Sequence, residues 1–233
     1  MSAPFPPGQV ETGRLRRFGI PVFADRFPRV LDRIEVRIEG DVATPLTLGS
    51  EWDDLPRVEQ VSDLHCVTSW TVRDLRWGGV RFRDVFERVL VSRAGASPEA
   101  EIVVFRGQDG YRAALPLPDL LAPDVLLADR LGGEPLSVAH GAPLRLVAPA
   151  HYGYKSVKHV SRITVWQCAE GYREPGPAFL THPRGRVALE ERSAVLPGRL
   201  LRYAYRPFIR PVAARFAREL RAWEAAREPS DSA

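Results

Sequence analysis

The sequence predicts a strand-rich, mixed α+β domain with short helices and a helical extension at its C-terminal end. Two observations predict this class. Stretches in which apolar and polar residues alternate recur between residues 33 and 166, and such alternation is typical of half-buried strands. Helical patterns are short and follow the strands too irregularly for a repeated βαβ arrangement. With 233 residues, of which 45% are hydrophobic, the chain is long enough to bury a full core.

The first predicted elements lead to a cysteine. Residues 1–30 are rich in Pro, Gly and Arg and predict an extended arm that lies over the domain. The stretch IEVRIEGDV after Arg33 predicts a strand that runs into a Gly-Asp turn. LGSEWDDLPRVEQV predicts a short helix, capped by Ser50 and ended before Pro56. VEQVSDLHCV predicts the next strand, so we expect Cys66 at or just past a strand end.

After the cysteine the sequence predicts a loop that carries Trp70 and Trp77, and then a helix. The helix is predicted by FRDVFERVL, whose apolar residues recur at spacings of three and four; they are Phe82, Val85, Phe86, Val89 and Leu90. EIVVFRGQDGYRAALPL predicts two strands around a turn at 107–110. LPDLLAPDVLLADRL predicts a short helix and a second helical or extended piece, and LSVAHGAPLRLVAP and KSVKHVSRITVWQC predict further strands.

The sequence changes character past residue 171, which predicts three parts. They are an N-terminal arm (1–30), a core domain (31–172) and a C-terminal loop with a basic helical extension (173–233). Residues 198–228 show helical spacing that we expect to be broken at Pro207 and Pro211. An apolar stripe along this segment indicates packing on the chain's own domain, on a partner or on a membrane surface; its members are Val212, Phe216, Leu220 and Trp223.

Charge and composition argue against two kinds of partner. The formal net charge is only +4, from 33 basic and 29 acidic residues, without a run of five like charges, so we expect no nucleic-acid partner. No window of 18 apolar residues is present, so we expect no transmembrane segment. The N-terminal stretch has proline, aspartate and arginine where a signal peptide needs an unbroken apolar run, and we therefore expect a cytoplasmic protein.

Cys66 has three functional interpretations besides that of a small buried apolar residue. A cysteine hydrolase is disfavoured, because neighbours on a strand point to opposite faces and His65 is badly placed to deprotonate the thiol. A zinc site would combine His65 and Cys66 with distant ligands and has no local spacing signature; the candidates are His140, His151, His159 and Cys168. The third interpretation is a single thiolate bonded to a soft metal that a cofactor carries.

Two blocks of sequence favour the third interpretation. LHCVTSWTVRDLRWGGVRFRDVF resembles the cysteine loop of the sulfite oxidase family, specifically of its minimal bacterial members, the oxidoreductase molybdopterin-binding domains. HGAPLRLVAPAHYGYKSVKHVSRITV resembles the pterin-binding segment of that family. The blocks stand in the family's order, and the likeness covers approximately residues 30–172.

The resemblance implies a molybdenum cofactor. Members of the family bind molybdenum through the dithiolene of one molybdopterin and through one cysteine, whose counterpart here is Cys66, the implied metal ligand and catalytic residue. A thiolate suits a soft, high-valent metal, and the cofactor supplies the redox chemistry. The implied cofactor-binding residues of the second block are His140, Arg145, Lys155, Ser156, Val157 and Lys158. Arg145 offers a planar fork to phosphate or pterin oxygens, and the two lysines are the only ones in the chain.

The resemblance also implies an oxidoreductase. It would transfer two electrons and an oxygen atom between water and a small S-oxide, N-oxide or oxyanion at a Mo-oxo centre. Ser69 and Trp70 stand where sulfite-oxidising members carry arginine, and the loop looks closer to that of the bacterial protein-methionine-sulfoxide reductases. No G-x-G-x-x-G follows a predicted strand, so an unidentified electron-transfer partner is expected. The alternative is a non-catalytic pterin-binding or protein-interaction module that uses the basic segment at 198–228 for an oligomer or peripheral membrane contact.

Overall fold

The computed structural model describes residues 5–173, 182–190 and 204–227. Eleven strands occur within these ranges: β1 (Val10–Glu11), β2 (Val36–Gly40), β3 (Leu46–Leu48), β4 (Arg57–Cys66), β5 (Trp70–Arg81), β6 (Ile102–Gly107), β7 (Arg112–Pro116), β8 (Leu126–Leu131), β9 (Glu134–Pro135), β10 (Arg145–Val147) and β11 (Val160–Trp166). The α-helices of these ranges are α1 (Phe82–Val85), α2 (Leu117–Leu120) and α3 (Arg206–Ala225). Strands thus dominate and helices are few, which confirms the predicted α+β class.

Two sheets organise the strands. The first has the order β1-β5-β8-β10, with β4 paired to β5 and β9 paired to β8. The second has the order β3-β2-β11-β6-β7. Neighbours are antiparallel except for β1 with β5 and β2 with β11, which run parallel. Each parallel pair joins a strand from the beginning of the chain to a later one, so the first 40 residues are built into both sheets.

Apolar side chains form two clusters on opposite faces of the first sheet. Neighbouring residues of β8 show this directly, because Leu127 points into the larger cluster and Leu126 and Ala128 point into the smaller one. The larger cluster combines side chains from both sheets with the helical segment Phe82–Val91, as the helical spacing there predicts. The smaller cluster contains Cys66. The first sheet therefore separates the main core from the candidate site.

The segment expected to be a loop after Cys66 is a strand. β5 pairs with β4 in a hairpin whose register shifts between Ser62 and Leu64. Asp74 lies at this irregularity with a left-handed φ of 54°, and its N–H donates to the Asp63 carboxylate at 3.1 Å. The bulge breaks the alternation of the sequence, and this is why periodicity alone suggested a loop.

Two smaller predictions about helix ends are wrong. Ser50 does not cap the 3₁₀ turn Ser50–Asp54; instead the Glu51 carboxylate accepts a hydrogen bond from the Gly49 N–H at 3.1 Å. Pro207 and Pro211 both lie within α3. Pro207 is in the first turn, where the N–H has no intrahelical partner, and Pro211 removes one backbone hydrogen bond near the start of the helix.

Helix α3 packs on the N-terminal arm. The ring of Phe216, only 2% exposed, stacks on Phe18 with a centroid distance of 6.3 Å, and Trp223 stacks on Phe27 at 5.1 Å. The guanidinium of Arg17 lies 4.1 Å from the Phe27 ring centroid and 5.1 Å from that of Phe216. The apolar stripe of the helix is thus used within the chain. Residues 1–4 of the expected arm, and 174–181, 191–203 and 228–233 of the expected C-terminal part, lie outside the described residues.

No helix among the described residues is long and apolar enough to cross a bilayer.

Candidate cofactor and active site

Cys66 is presented by a tight turn between two long strands. β4 ends at Cys66 and β5 begins four residues later. The Ser69 N–H donates to the Cys66 carbonyl at 3.1 Å, and Ser69 adopts a left-handed φ of 76°. The Cys66 residue is 8% exposed, and its Sγ lies 3.2 Å from the Thr68 hydroxyl. A single sulfur donor is therefore held at the end of a rigid hairpin, as the strand pattern predicts.

His65 is bonded to the hairpin and not to the thiol. Its Nδ1 lies 2.8 Å from the hydroxyl of Thr71, the residue opposite it on β5. Burial is the main cause that lowers the pKa of His65. The imidazole thus bonds across the hairpin to Thr71, and neighbours on a strand point to opposite faces, so His65 and Cys66 project in different directions.

Sequence reasoning missed a contribution of the N-terminal arm. The buried amide of Gln9 donates to the Cys66 carbonyl at 3.2 Å and accepts from the Thr71 hydroxyl at 3.2 Å. The Val10 N–H also donates to the carbonyl of Ser69 at 3.0 Å. The arm thus ties the backbone of the cysteine turn from outside. A single glutamine in a Pro- and Gly-rich stretch carries no signal of this role.

Arg145, which is buried, and Lys158, which is half-buried, form a cationic pair around Gly141. An added Cβ at Gly141 would lie 3.0 Å from Lys158 Cγ and 3.1 Å from Arg145 Cβ. Arg145 donates to the His140 carbonyl at 2.8 Å and stacks on the buried ring of Trp77, 4.8 Å from its centroid. Burial lowers the pKa of Arg145 to about 10. The two cations predicted for one ligand are therefore brought together by one glycine.

The pKa of Lys158 is lowered further from its ordinary value than that of Arg145. Although part of its side chain is exposed, burial of the ammonium, followed by the nearby charges of Arg145 and Arg17, lowers the pKa of Lys158 to about 7. Asp109 and Cys66 act in the opposite direction, so both lie close enough to influence the ammonium electrostatically. The lysine, the arginine and the cysteine turn therefore share one electrostatic environment.

The arm covers the second block. His140 Nε2 lies 3.2 Å from the carbonyl oxygen of Leu15, and the Lys158 ammonium donates to the carbonyl of Phe18 at 3.3 Å. Burial is the main cause that lowers the pKa of His140. The Phe18 ring also meets Trp70 edge-on, with a centroid distance of 5.7 Å. One short stretch of the arm thus touches the cysteine loop and two of the expected cofactor residues.

Ser156 and Val157 lie in the same turn but are held by backbone contacts. The Ser156 hydroxyl accepts from the Ala148 N–H at 3.3 Å, and the Val157 carbonyl accepts from the Leu146 N–H at 2.8 Å. Both residues are buried. These bonds join the turn to β10 and fix the direction in which the next residue, Lys158, leaves the backbone.

Lys155 is placed apart from the cationic pair. Its side chain is fully buried, and its ammonium donates to the carbonyl oxygens of Ala114 and Pro183 at 2.9 and 2.7 Å. These contacts connect β7 with the segment 182–190. A role of Lys155 in cofactor binding stays a prediction, and the observed contacts give it a role in holding these two parts of the chain together.

The donor set suits a ligand with an anionic end and a soft metal. The guanidinium of Arg145 lowers the pKa of the nearby Lys158 ammonium, so the pair favours a neighbouring negative charge, and a cysteine sulfur is a ligand for soft metals. Within the described ranges, no group of three or more His, Cys, Asp or Glu side chains could hold a metal ion without such a ligand. The arrangement can therefore hold a metal-carrying organic anion, with Cys66 as the one protein donor.

His159 gives the site a predicted acid sensitivity. It is 1% exposed, its Nδ1 lies 2.6 Å from the Ala142 carbonyl oxygen, and burial is the main cause that lowers its pKa to about 3. In the unfolded state His159 has an ordinary pKa of about 6.5 and binds a proton below that pH, whereas in the folded state it stays unprotonated down to about pH 3. The free energy of unfolding therefore falls by about 2 kcal/mol between pH 7 and pH 5. The variant His159→Asn keeps a hydrogen-bond donor and tolerates the left-handed φ of 56° at this position. Measured by urea unfolding, its free energy of unfolding should change less between pH 7 and pH 5 than that of wild type. Equal pH dependences of the two proteins would contradict this.

Gly141→Ala should separate the cationic pair. The backbone at Gly141 has a φ of 113°, so a side chain is strained there and also meets Arg145 and Lys158. We expect a loss of about 1–3 kcal/mol in the free energy of unfolding and a lower content of bound cofactor. Gly133→Ala is the matched control, because Gly133 has a φ of 89° with open space around it. If both variants bind cofactor equally well, the crowding at Gly141 has no role in binding.

Comparisons with known proteins agree with the donor set. The family described as oxidoreductase molybdopterin binding domain matches residues 24–172. The chain is 38% identical over 140 residues to the uncharacterized oxidoreductase YuiH of Bacillus subtilis, which covers 60% of this chain and 66% of that protein. It is 31% identical over 199 residues to the protein-methionine-sulfoxide reductase catalytic subunit MsrP of Xanthomonas campestris, covering 74% of this chain and 62% of the relative.

Two further proteins are similar to parts of the chain. Mitochondrial sulfite oxidase of Drosophila melanogaster is 33% identical over 129 residues, 50% of this chain and 21% of that protein. The crystal structure of the sulfane dehydrogenase SoxCD from Paracoccus pantotrophus superposes with a TM-score of 0.53 at 25% identity, covering 66% of this chain and 43% of that one. The chain thus spans at most about two thirds of the length of these relatives.

Proposed function

Because the chain belongs to the family of oxidoreductase molybdopterin-binding domains, we propose that it is a molybdopterin-dependent oxidoreductase that uses Cys66 as the protein ligand of molybdenum. The substrate is a small S-oxide, N-oxide or oxyanion, and the reaction moves two electrons and one oxygen atom. When bound, the molybdenum cofactor supplies the oxygen-transfer and redox chemistry. The proteins that match include one named for methionine sulfoxide reduction and one named for sulfite oxidation.

One arrangement carries this proposal. Arg145 and Lys158 meet at Gly141, and the Lys158 ammonium donates to the carbonyl of Phe18, whose ring contacts Trp70 beside the Cys66 turn. The guanidinium would bind phosphate or pterin oxygens through its planar fork, and the ammonium would add a point charge. Bound anion would raise the pKa of Lys158 from about 7 and keep the ammonium charged. His140 and the backbone around Val157 would complete the polar contacts.

The residues around Cys66 prepare it for a metal. The turn at Ser69 and the bond from Gln9 fix the backbone of the cysteine, and the Thr68 hydroxyl lies 3.2 Å from its sulfur. The rings of Trp70 and Phe18 lie beside the turn and exclude water on that side. Ser69 and Trp70 supply no cation to the turn, and this supports an uncharged S-oxide or N-oxide over sulfite.

The test measures the molybdenum content, the pterin content and the activity of protein made in a host that synthesises molybdopterin. We expect molybdenum and pterin in about equal amounts with the protein, measured by elemental analysis and by fluorescence of the released pterin. Reduction of sulfoxides and N-oxides and oxidation of sulfite are then compared with a small redox dye as electron carrier. Purified protein without molybdenum and pterin would refute the proposal, and loaded protein inactive on all three substrate classes would refute its substrate assignment.

A further inference from the structure

The net charge of the chain is concentrated on the segment that contains helix α3. Residues 204–227 contain six arginines and two glutamates, a net charge of +4 that equals the formal net charge of the whole chain. All the other residues together therefore carry as many acidic as basic groups. All six of these arginines are exposed; they are Arg206, Arg210, Arg215, Arg218, Arg221 and Arg227. A mild overall charge thus conceals one strongly basic surface.

This basic helix lies directly above the candidate site. Ile209 of α3 packs against the apolar cluster that contains Cys66. Phe216 stacks on Phe18, whose ring meets Trp70 and whose carbonyl binds the Lys158 ammonium. Aromatic side chains of α3 and of the arm therefore connect the basic helix with the cysteine loop and with Lys158.

The geometry of the helix favours a protein partner over a membrane. A helix that binds a membrane surface places its apolar face in the headgroup boundary, but here Phe216 and Trp223 face the arm. Arg210 and Arg221 are eleven residues apart, about three turns of helix, and so project from one side. Of the large apolar side chains of α3, Phe208 is exposed, and one such side chain gives the helix little apolar surface to insert into a membrane. A flat cationic face attracts a complementary acidic surface and speeds its encounter.

We propose that the arginine face of α3, defined by Arg206, Arg210, Arg218 and Arg221, docks an acidic one-electron carrier protein. The inference rests on the proposed function, because it assigns the entry point of the electrons. For an S-oxide, two reduced carriers dock in turn and each gives up one electron. These two electrons and two protons convert the S-oxide to a sulfide and one water, and two oxidised carriers leave. In the opposite direction the same face receives oxidised carriers.

A charge-reversal experiment tests the docking face. The probe is a reduced acidic plant-type [2Fe–2S] ferredoxin mixed in stopped flow with oxidised, molybdenum-loaded protein at low and high salt. The double variant Arg210→Glu/Arg221→Glu is compared with Arg76→Glu/Arg88→Glu. The control makes the same change in net charge at exposed residues of β5 and of the helical segment at 82–91. The centre is also reduced with dithionite, which needs no docking.

We expect the second-order rate for wild type to fall by at least about tenfold from low to high salt. At low salt the α3 variant should be slower by a similar factor, the control variant by less than about twofold, and all three proteins should react alike with dithionite. Equal rates of the two double variants would overturn the proposal, as would a loaded wild type that reacts with dithionite but not with ferredoxin. Loss of molybdenum or of the dithionite reaction in wild type would instead remove the proposed function itself.

An anionic membrane surface could also bind the arginine face of α3, and vesicle sedimentation measures that binding. The three proteins are sedimented with vesicles of phosphatidylglycerol and phosphatidylcholine. We expect less than about a tenth of the wild-type protein to bind them at physiological salt, because a cationic face without apolar depth is screened there. Vesicle binding that the α3 variant abolishes, together with ferredoxin rates that it leaves unchanged, would assign the face to an anionic membrane and overturn the protein partner.

Discussion

Cys66→Ala is expected to turn over its substrate more than about a hundredfold more slowly than wild type and to contain much less molybdenum after purification. The reason is that Cys66 is the one sulfur donor that the hairpin presents beside the cationic pair, and alanine cannot bond a metal. Activity is measured with a small redox dye, and metal by elemental analysis of the same sample. Melting curves of the metal-free proteins establish that the variant folds.

Cys168→Ala is the matched control for this experiment. Cys168 is the other free cysteine and is exposed, so its loss should leave both activity and molybdenum unchanged. Cys66 is 8% exposed, and removal of its sulfur costs about 1 kcal/mol at such a site, too little to unfold a domain of this size. A Cys66→Ala protein that keeps its metal and its turnover would show that the sulfur is not the ligand.

Lys158→Met is expected to lose most of the bound cofactor, while the metal-free protein loses only the one long bond to the Phe18 carbonyl and stays within about 1 kcal/mol of the wild-type stability. A buried ammonium costs free energy in the absence of an anion, and this is expressed in its pKa of about 7. Methionine keeps the length of the side chain without the charge. Molybdenum content is measured first, and urea unfolding of the metal-free proteins second.

The other lysine provides the contrast. The Lys155 ammonium donates to the buried carbonyl of Ala114 and to the partly buried carbonyl of Pro183, and a buried acceptor left without its hydrogen bond costs about 1–3 kcal/mol. Lys155→Met should therefore lower the free energy of unfolding, and any loss of cofactor should follow that loss of stability. If the Lys158 variant is destabilised and the Lys155 variant is not, the two lysines have exchanged roles, and the assignment of Lys158 to the cofactor fails.

The sequence predicted the strands and turns that carry the site better than the contacts by which the N-terminal arm covers it. Alternation located β4 and put Cys66 at its end, and the likeness of two blocks to a known family brought Arg145 and Lys158 to the same ligand. Those signals are local, because they depend on neighbours in the chain. Alternation did not predict β5, because the extra residue of the bulge at Asp74 reverses the order of inward and outward residues.

The contacts between distant parts of the chain were not predictable from patterns. Gln9 reaches the carbonyl of Cys66 across 57 positions, and Phe18 accepts from Lys158 across 140. Backbone carbonyl groups make several of these bonds, and every residue has one, so no residue type marks them. Lys155 shows the reverse case, because a rare residue type suggested a ligand contact where the structure has two backbone acceptors.

The packing of α3 on the arm also sets an order of assembly during synthesis. Phe18 and Phe216 are separated by 198 positions, and a ribosome adds about 5–20 residues per second. Phe18 therefore leaves the ribosome about 10–40 seconds before its stacking partner. In that interval the cysteine turn and Lys158 can form their contacts with the arm, while the contact between the arm and α3 has to wait.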